Sequence, residues 1–151
     1  MRTRQLPPKL PVVWLFADAR LGDGVAAAVA RLPRGAGVID AGTPDPALLR
    51  RLTRARGLLL IDLADPRIAK AHNRTELVAA RRCGARLVFV SPVFATRSHP
   101  GATVLGVVRF GLLTRRARVP VAALGGMTVQ RFRRLRALSA VAWGAIDALL
   151  A

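Results

Sequence analysis

The chain has 151 residues, 52% of them apolar, and 25 Lys plus Arg against 8 Asp plus Glu, for a formal charge of +17. That apolar content excludes intrinsic disorder, and 13 Gly and 10 Pro scattered without period exclude collagen-like and low-complexity chains. The single cysteine, Cys83, allows no internal disulfide and no zinc cluster, so one domain over residues 1–151 in a reducing, cytoplasmic setting is expected.

At the start, Arg2 and Arg4 precede an apolar run and an Ala-x-Ala triplet at residues 17–19, a pattern that imitates a short signal peptide. Pro7, Pro8 and Pro11 interrupt the run, which serves equally well as a first buried strand. No segment reaches the roughly 18 apolar residues that a bilayer span needs.

Six apolar runs follow one another at residues 12–16, 37–40, 58–62, 87–90, 119–124 and 141–143. Continuous rather than alternating apolar runs mark strands covered on both faces, and segments of helical period lie between them, so the expected fold is α/β with a parallel sheet. The helices are predicted over residues 24–32, 45–56, 66–83, 106–116, 128–138 and 145–150. Asp65 with Pro66 reads as an N-cap followed by proline in the first turn, and Gly84 as a C-terminal stop. Six βα units fill this length, whereas a complete (β/α)₈ barrel typically takes about 200 to 250 residues. Cys83, among apolar residues at a helix end, reads as a small buried hydrophobe.

Of the 25 basic residues only Lys9 and Lys70 are lysines. Such a charge favours anionic partners, whether phosphorylated metabolites, nucleic acid or a membrane surface. Grouped as Arg50, Arg51 and Arg54, or Arg131, Arg133 and Arg134, the arginines also read simply as solvated helix faces and C-terminal turns.

Two segments can carry chemistry. Residues 90–101 leave a buried strand and stay polar, offering Thr96, Arg97, Ser98 and His99 as donors to a phosphate, or else forming an ordinary surface loop. Gly125 and Gly126 follow the next strand, and Gly144 the one after; paired glycines there let a backbone approach an anion at a helix start.

These residues carry a family resemblance. Pro92-Val93-Phe94-Ala95-Thr96-Arg97-Ser98 and Leu124-Gly125-Gly126-Met127, with His72-Asn73-Arg74-Thr75-Glu76 before them and Trp143-Gly144-Ala145-Ile146 after, resemble thiamine phosphate synthase and its relative thiazole tautomerase over about residues 70–147. The resemblance implies a TIM-barrel-like (β/α) repeat, here incomplete with about six units. It implies a transferase that joins hydroxymethylpyrimidine diphosphate to thiazole phosphate with Mg²⁺ assisting departure of pyrophosphate. It places Thr96, Ser98 and Arg97 at the diphosphate, with His99 where a lysine is usual, and Gly125, Gly126 and Gly144 at the thiazole phosphate. Asp62 would be the one matching metal ligand, and His72 a proton shuttle as in the tautomerase branch.

The chain also departs from that pattern. Val38-Ile39-Asp40-Ala41-Gly42 stands where a Gln-x-Arg-x-Lys pattern is usual, and the segment for a second acidic metal ligand is absent. Because a parallel neighbour cannot follow Asp62 through so short a link, a deletion between residues 62 and 72 is expected, with residues 66–83 becoming one long helix. On that helix His72 would be a partly buried helix residue instead of a base. The expectation is thus a synthase-like protein of impaired activity. The alternatives are a tautomerase-like enzyme using His72, or a non-catalytic binder of a phosphorylated ligand. The sequence has no nucleic-acid motif and few aromatics for stacking, and a homodimer is one way to cover an unclosed sheet.

Overall fold

The computed structural model describes residues 6–97 and 100–145. Its strands are β1 (Val13–Ala17), β2 (Gly37–Asp40), β3 (Leu59–Asp62), β4 (Ile68–Ala71), β5 (Leu87–Val90), β6 (Val121–Ala123) and β7 (Ala140–Ala145). The helices are α1 (Val25–Arg31), α2 (Pro46–Ala55), α3 (Arg74–Arg82), α4 (Gly106–Thr114) and α5 (Val129–Arg136), with a kinked 3₁₀ segment, Ala19–Gly24, before α1. All six apolar runs become strands, and the predicted last helix lies outside the described residues beyond 145.

The seven strands form one parallel sheet in the order β3-β2-β1-β7-β6-β5-β4. This is the cyclic order of a β/α barrel opened between β3 and β4. The sheet curls around one interior: Trp14 and Phe16 of β1, Ile39 of β2, Ile61 of β3, Ile68 of β4 and Phe89 of β5 belong to a single buried cluster. Two further apolar layers lie outside the sheet, one between β1–β3 and the helices α1 and α2, the other between β4–β7 and α3–α5. A half-barrel of this kind buries both faces of inner strands such as β5 and β6, which explains their continuous apolar runs.

Aromatic packing organises the interior. Phe89 meets Phe16 and Trp14 edge-on, with ring centroids at 5.0 and 5.8 Å, contacts worth about 0.5–1.5 kcal/mol each beyond burial. The fully buried Trp14 donates its indole N–H to the Pro11 carbonyl at 2.8 Å. Gly37 is required beside it, since a Cβ there would lie 2.2 Å from the Trp14 ring.

The long helix expected over residues 66–83 does not form. Residues 68–71 make β4, and the helix starts only at Arg74. Asp65 caps a turn, accepting from the Arg67 N–H at 2.9 Å. The N-cap is Asn73, whose side chain accepts from the Glu76 N–H at 2.9 Å while Glu76 accepts the His72 N–H at 2.8 Å, a variant of the capping box. The steric objection to a strand here also fails, because β3 and β4 are opposite edges of the sheet and have no common ladder to satisfy. The link is made of two turns, with Asp65 N–H donating to the Asp62 carbonyl and Ile68 N–H to that of Asp65, each at 3.0 Å. Cys83, expected to be buried, is exposed at the C-cap of α3, where the chain has already turned away from the core.

Candidate functional site

The loops at the C-terminal ends of the strands define one mouth of the half-barrel, where parallel α/β folds bring ligand-binding groups together. Its floor is Phe16, whose ring touches three neighbours. Phe89 packs on its edge, Lys70 Nζ lies 4.7 Å from its centroid, and a Cβ on Gly144 would come within 2.8 Å of Phe16 Cε2. Lys70 reaches this position because strand alternation places it on the same face as the interior residue Ile68. Partial burial holds its ammonium below the ordinary lysine range; the charge of Arg20 adds to the shift, and that of Asp18 opposes it.

Asp18 stands just past β1 and is held by Arg20. Its carboxylate accepts from the Arg20 backbone N–H at 2.9 Å and from Nε at 2.9 Å, and Arg20 Nη2 closes the ion pair. Burial alone would raise the Asp18 pKa, but these hydrogen bonds and the Arg20 charge bring it below the usual carboxylate value.

The loops after β5 and β6 are clamped together. Val93 N–H donates to the Leu124 carbonyl at 2.9 Å and Phe94 N–H to that of Gly125 at 3.1 Å. Gly125 and Gly126 have φ of +96° and +58°; a Cβ would lie 2.9 Å from Pro92 Cα at the first and 2.4 Å from the Ala95 oxygen at the second. The close approach that sequence reasoning reserved for a ligand is therefore also a demand of the neighbouring loop. Arg131 stacks 4.5 Å over the Phe94 ring and donates to the Gly126 carbonyl, tying α5 to the same cluster. Thr96 is half-buried and Arg97 exposed on the β5 loop, while Ser98 and His99 lie outside the described residues.

His72 follows β4 directly, with an exposed side chain whose Nδ1 is 2.9 Å from Glu76 Oε2. It is neither within the helix nor buried by it. The Glu76 carboxyl lies below its ordinary pKa because it accepts from the His72 backbone, and the His72 ring and Asn73 add to the effect. The structure thus gathers Lys70 and Gly144 on Phe16, and Thr96, Gly125 and Gly126 in the clamped loops. His72 remains with Glu76 at the start of α3.

Asp62 is the last residue of β3, one position past the interior Ile61 and so of outward parity. Its Oδ1 accepts from the Ala64 N–H at 2.7 Å. Asp40, its register partner on β2, accepts from Gly42 and Thr43 N–H at 3.2 and 3.1 Å. Mg²⁺ is normally held by one or two carboxylates together with substrate phosphates in near-octahedral geometry. Here the mouth offers Lys70 and an Asp18 already held by Arg20, while Asp40 and Asp62 cap turns on the other face of the sheet. Among the described residues no group of three His, Cys, Asp or Glu side chains converges. This donor set does not fit Mg²⁺.

Sequence reasoning missed Lys70, Phe16 and the Asp18–Arg20 pair. The available signal was a lysine two residues after Ile68 in a segment that, read with a period of two, alternates between the faces of a strand.

Among the described residues no helix is long and apolar enough to cross a membrane. A family profile described as thiamine monophosphate synthase matches residues 69–149, just over half of the chain. A curated protein of Aquifex aeolicus (strain VF5), named "Putative thiamine-phosphate synthase 2", is 33% identical over 63 residues; the match takes in 42% of this chain and spans only 34% of that protein's length. The solved thiamine phosphate pyrophosphorylase of Pyrococcus furiosus superposes with a TM-score of 0.67 at 18% identity, covering 90% of this chain and 85% of that one. A KDPGal structure gives 0.63 at 14% identity over 94% and 85%, and FabK of Thermotoga maritima 0.59 at 17% over 93% and 59%. At these identities the structural likenesses speak for the fold, an α/β, TIM-barrel-like one. The family profile speaks for descent, and the chain belongs to the thiamine monophosphate synthase family.

Proposed function

We propose that this chain serves thiamine biosynthesis as a synthase-like protein that holds a phosphorylated small molecule at the mouth of the half-barrel but condenses the two halves of thiamine phosphate slowly. The observation that carries the reading is the clamp between the β5 and β6 loops. Val93 and Phe94 are bonded to Leu124 and Gly125 within the segment the family profile matches. Thr96 and Arg97 follow the clamped residues in the β5 loop, and with the Gly125-Gly126 turn they would offer hydroxyl, guanidinium and backbone N–H groups suited to a phosphate. Gly144, having no Cβ, lets the buried Phe16 ring pack directly against β7 beneath these loops.

Slow turnover follows from what handles the leaving group. A deletion between residues 62 and 72 would account for the direct β3–β4 link without a helix, and with it for the lack, among the described residues, of an acidic cluster that could bind Mg²⁺. Losing such electrostatic stabilisation typically costs about 10²–10³ in rate per group. The test is thiamine phosphate formation from hydroxymethylpyrimidine diphosphate and thiazole phosphate with Mg²⁺, beside titration of thiazole phosphate alone. Binding with a rate at least about 100-fold below that of a full-length family member is expected. A rate equal to the full-length member's overturns the impairment, and absence of thiazole phosphate binding overturns the ligand assignment.

A further inference from the structure

The groups at the mouth have the wrong sign for a metal and the right sign for an anion. Asp18, the carboxylate nearest the floor, is closed by its ion pair with Arg20, and Asp40 and Asp62 face the other side of the sheet. Lys70 has no ion pair among the described residues. Its ammonium sits over Phe16, whose buried ring packs so closely on Gly144 that a Cβ there would meet it at 2.8 Å. Stacking on the ring occupies one side of a group with three donors, and the residue remains exposed at the mouth. Arg20 lies close enough for its charge to act on the same ammonium.

We propose that Lys70 is the cation that neutralises a phosphate or diphosphate at this mouth, so that the anion binds without a divalent metal. This deepens the phosphorylated-ligand reading above by naming the group that meets the charge, and it replaces the metal that the donor set does not fit. A lysine is a compact point charge without the bidentate geometry of arginine, so it tolerates either anion.

The experiment titrates the full chain with sodium pyrophosphate by calorimetry, first in EDTA and then with Mg²⁺. It compares wild type with Lys70→Met, which keeps a flexible apolar stem over Phe16, and with Lys70→Arg, which restores the charge. Near-UV circular dichroism of the buried Trp14 confirms that each variant is folded. A third variant, Arg115→Ser with Arg116→Ser, removes charge from a groove of about 520 Å³ between α3 and the end of α4, a separate place where arginines line a cavity. Expected are binding in EDTA that Mg²⁺ does not strengthen and a loss of at least about tenfold in Lys70→Met. Recovery in Lys70→Arg and no change in the groove variant complete the expectation. Binding that requires Mg²⁺, a Lys70→Met protein that binds as wild type, or a loss that follows the groove arginines instead overturns the proposal. If pyrophosphate binds through Lys70 while thiazole phosphate does not bind at all, the reading of the preceding subsection falls and this one stands.

Discussion

Lys70 and Phe16, from opposite sides of the β3–β4 link, meet at the mouth with the ammonium 4.7 Å from the ring centroid. The ring also makes the edge contact with Phe89 at 5.0 Å, so one side chain links the site to the core. Phe16→Leu retains an apolar side chain but removes the π face and the edge contact, and should destabilise the fold by about 1–2 kcal/mol. Urea unfolding followed by tryptophan fluorescence measures it; stability equal to wild type would show that the aromatic contacts contribute nothing.

Gly37→Ala should cost more. The added Cβ would lie 2.2 Å from a ring atom of Trp14, which is fully buried and anchored through Pro11. Overpacking of this kind costs about 1–3 kcal/mol or more, and the Trp14 environment should change in the near-UV spectrum. A variant with unchanged spectrum and midpoint would mean that the β1–β2 ladder yields readily.

Gly126→Ala tests the clamp between the loops. The position combines φ +58° with a Cβ site 2.4 Å from the Ala95 carbonyl oxygen, so the β5 loop has to move. Destabilisation of about 1–3 kcal/mol and faster proteolysis within residues 92–101 are expected. Retention of wild-type proteolytic resistance would contradict the clamp.

The Asp65–Arg67 pair at the β3–β4 link makes stability depend on acid. Hydrogen bonding from the Arg67 side chain, then from its backbone, lowers the Asp65 pKa from 3.8 against an opposing effect of burial. A carboxylate with a lowered folded pKa contributes stability that is complete above its unfolded value and is lost as pH falls through the folded one. Asp65→Asn should therefore cost about 1 kcal/mol at neutral pH and flatten the acid limb below about pH 4. An acid limb identical to wild type, read by denaturant midpoints against pH, would remove Asp65 from this role.

Lys70 gives a pH dependence of the same sign at the alkaline end, but from a charged form that folding disfavours. Its lowered pKa disfavours the charged form in the folded state, so folding stability rises as pH climbs between the folded value and 10.5. Pyrophosphate affinity should fall over that same window as the ammonium deprotonates. Affinity constant through pH 10 would separate the anion from Lys70.

Most of the fold was legible because strands covered on both faces announce themselves as apolar runs, and β1, β2, β3, β5, β6 and β7 all do. β4 escaped because Ile68-Ala69-Lys70-Ala71 is short, weak in strand-forming residues, and interrupted by a lysine whose side chain lies at the mouth. Asp65-Pro66 looked like a helix start, whereas the Asn73…Glu76 cap, beginning three residues after the lysine, was the true one. Within the site, Gly125, Gly126 and Thr96 were visible as loop chemistry. The Lys70–Phe16 contact was not, since it depends on how the half-barrel curls β1 toward β4, a long-range relation that no local spacing encodes.

The missing ladder between β3 and β4 has a topological consequence. Residues 63–67 join the two edges of the sheet, so a cut there severs the backbone without breaking any strand pair. The pieces on either side each keep an outer apolar layer, around α1 and α2 or around α3–α5. They would remain associated through the β1–β7 ladder and the shared interior. The chain is thus built as two complementary fragments joined by a removable tether, and the family profile begins at Ala69, almost at that tether.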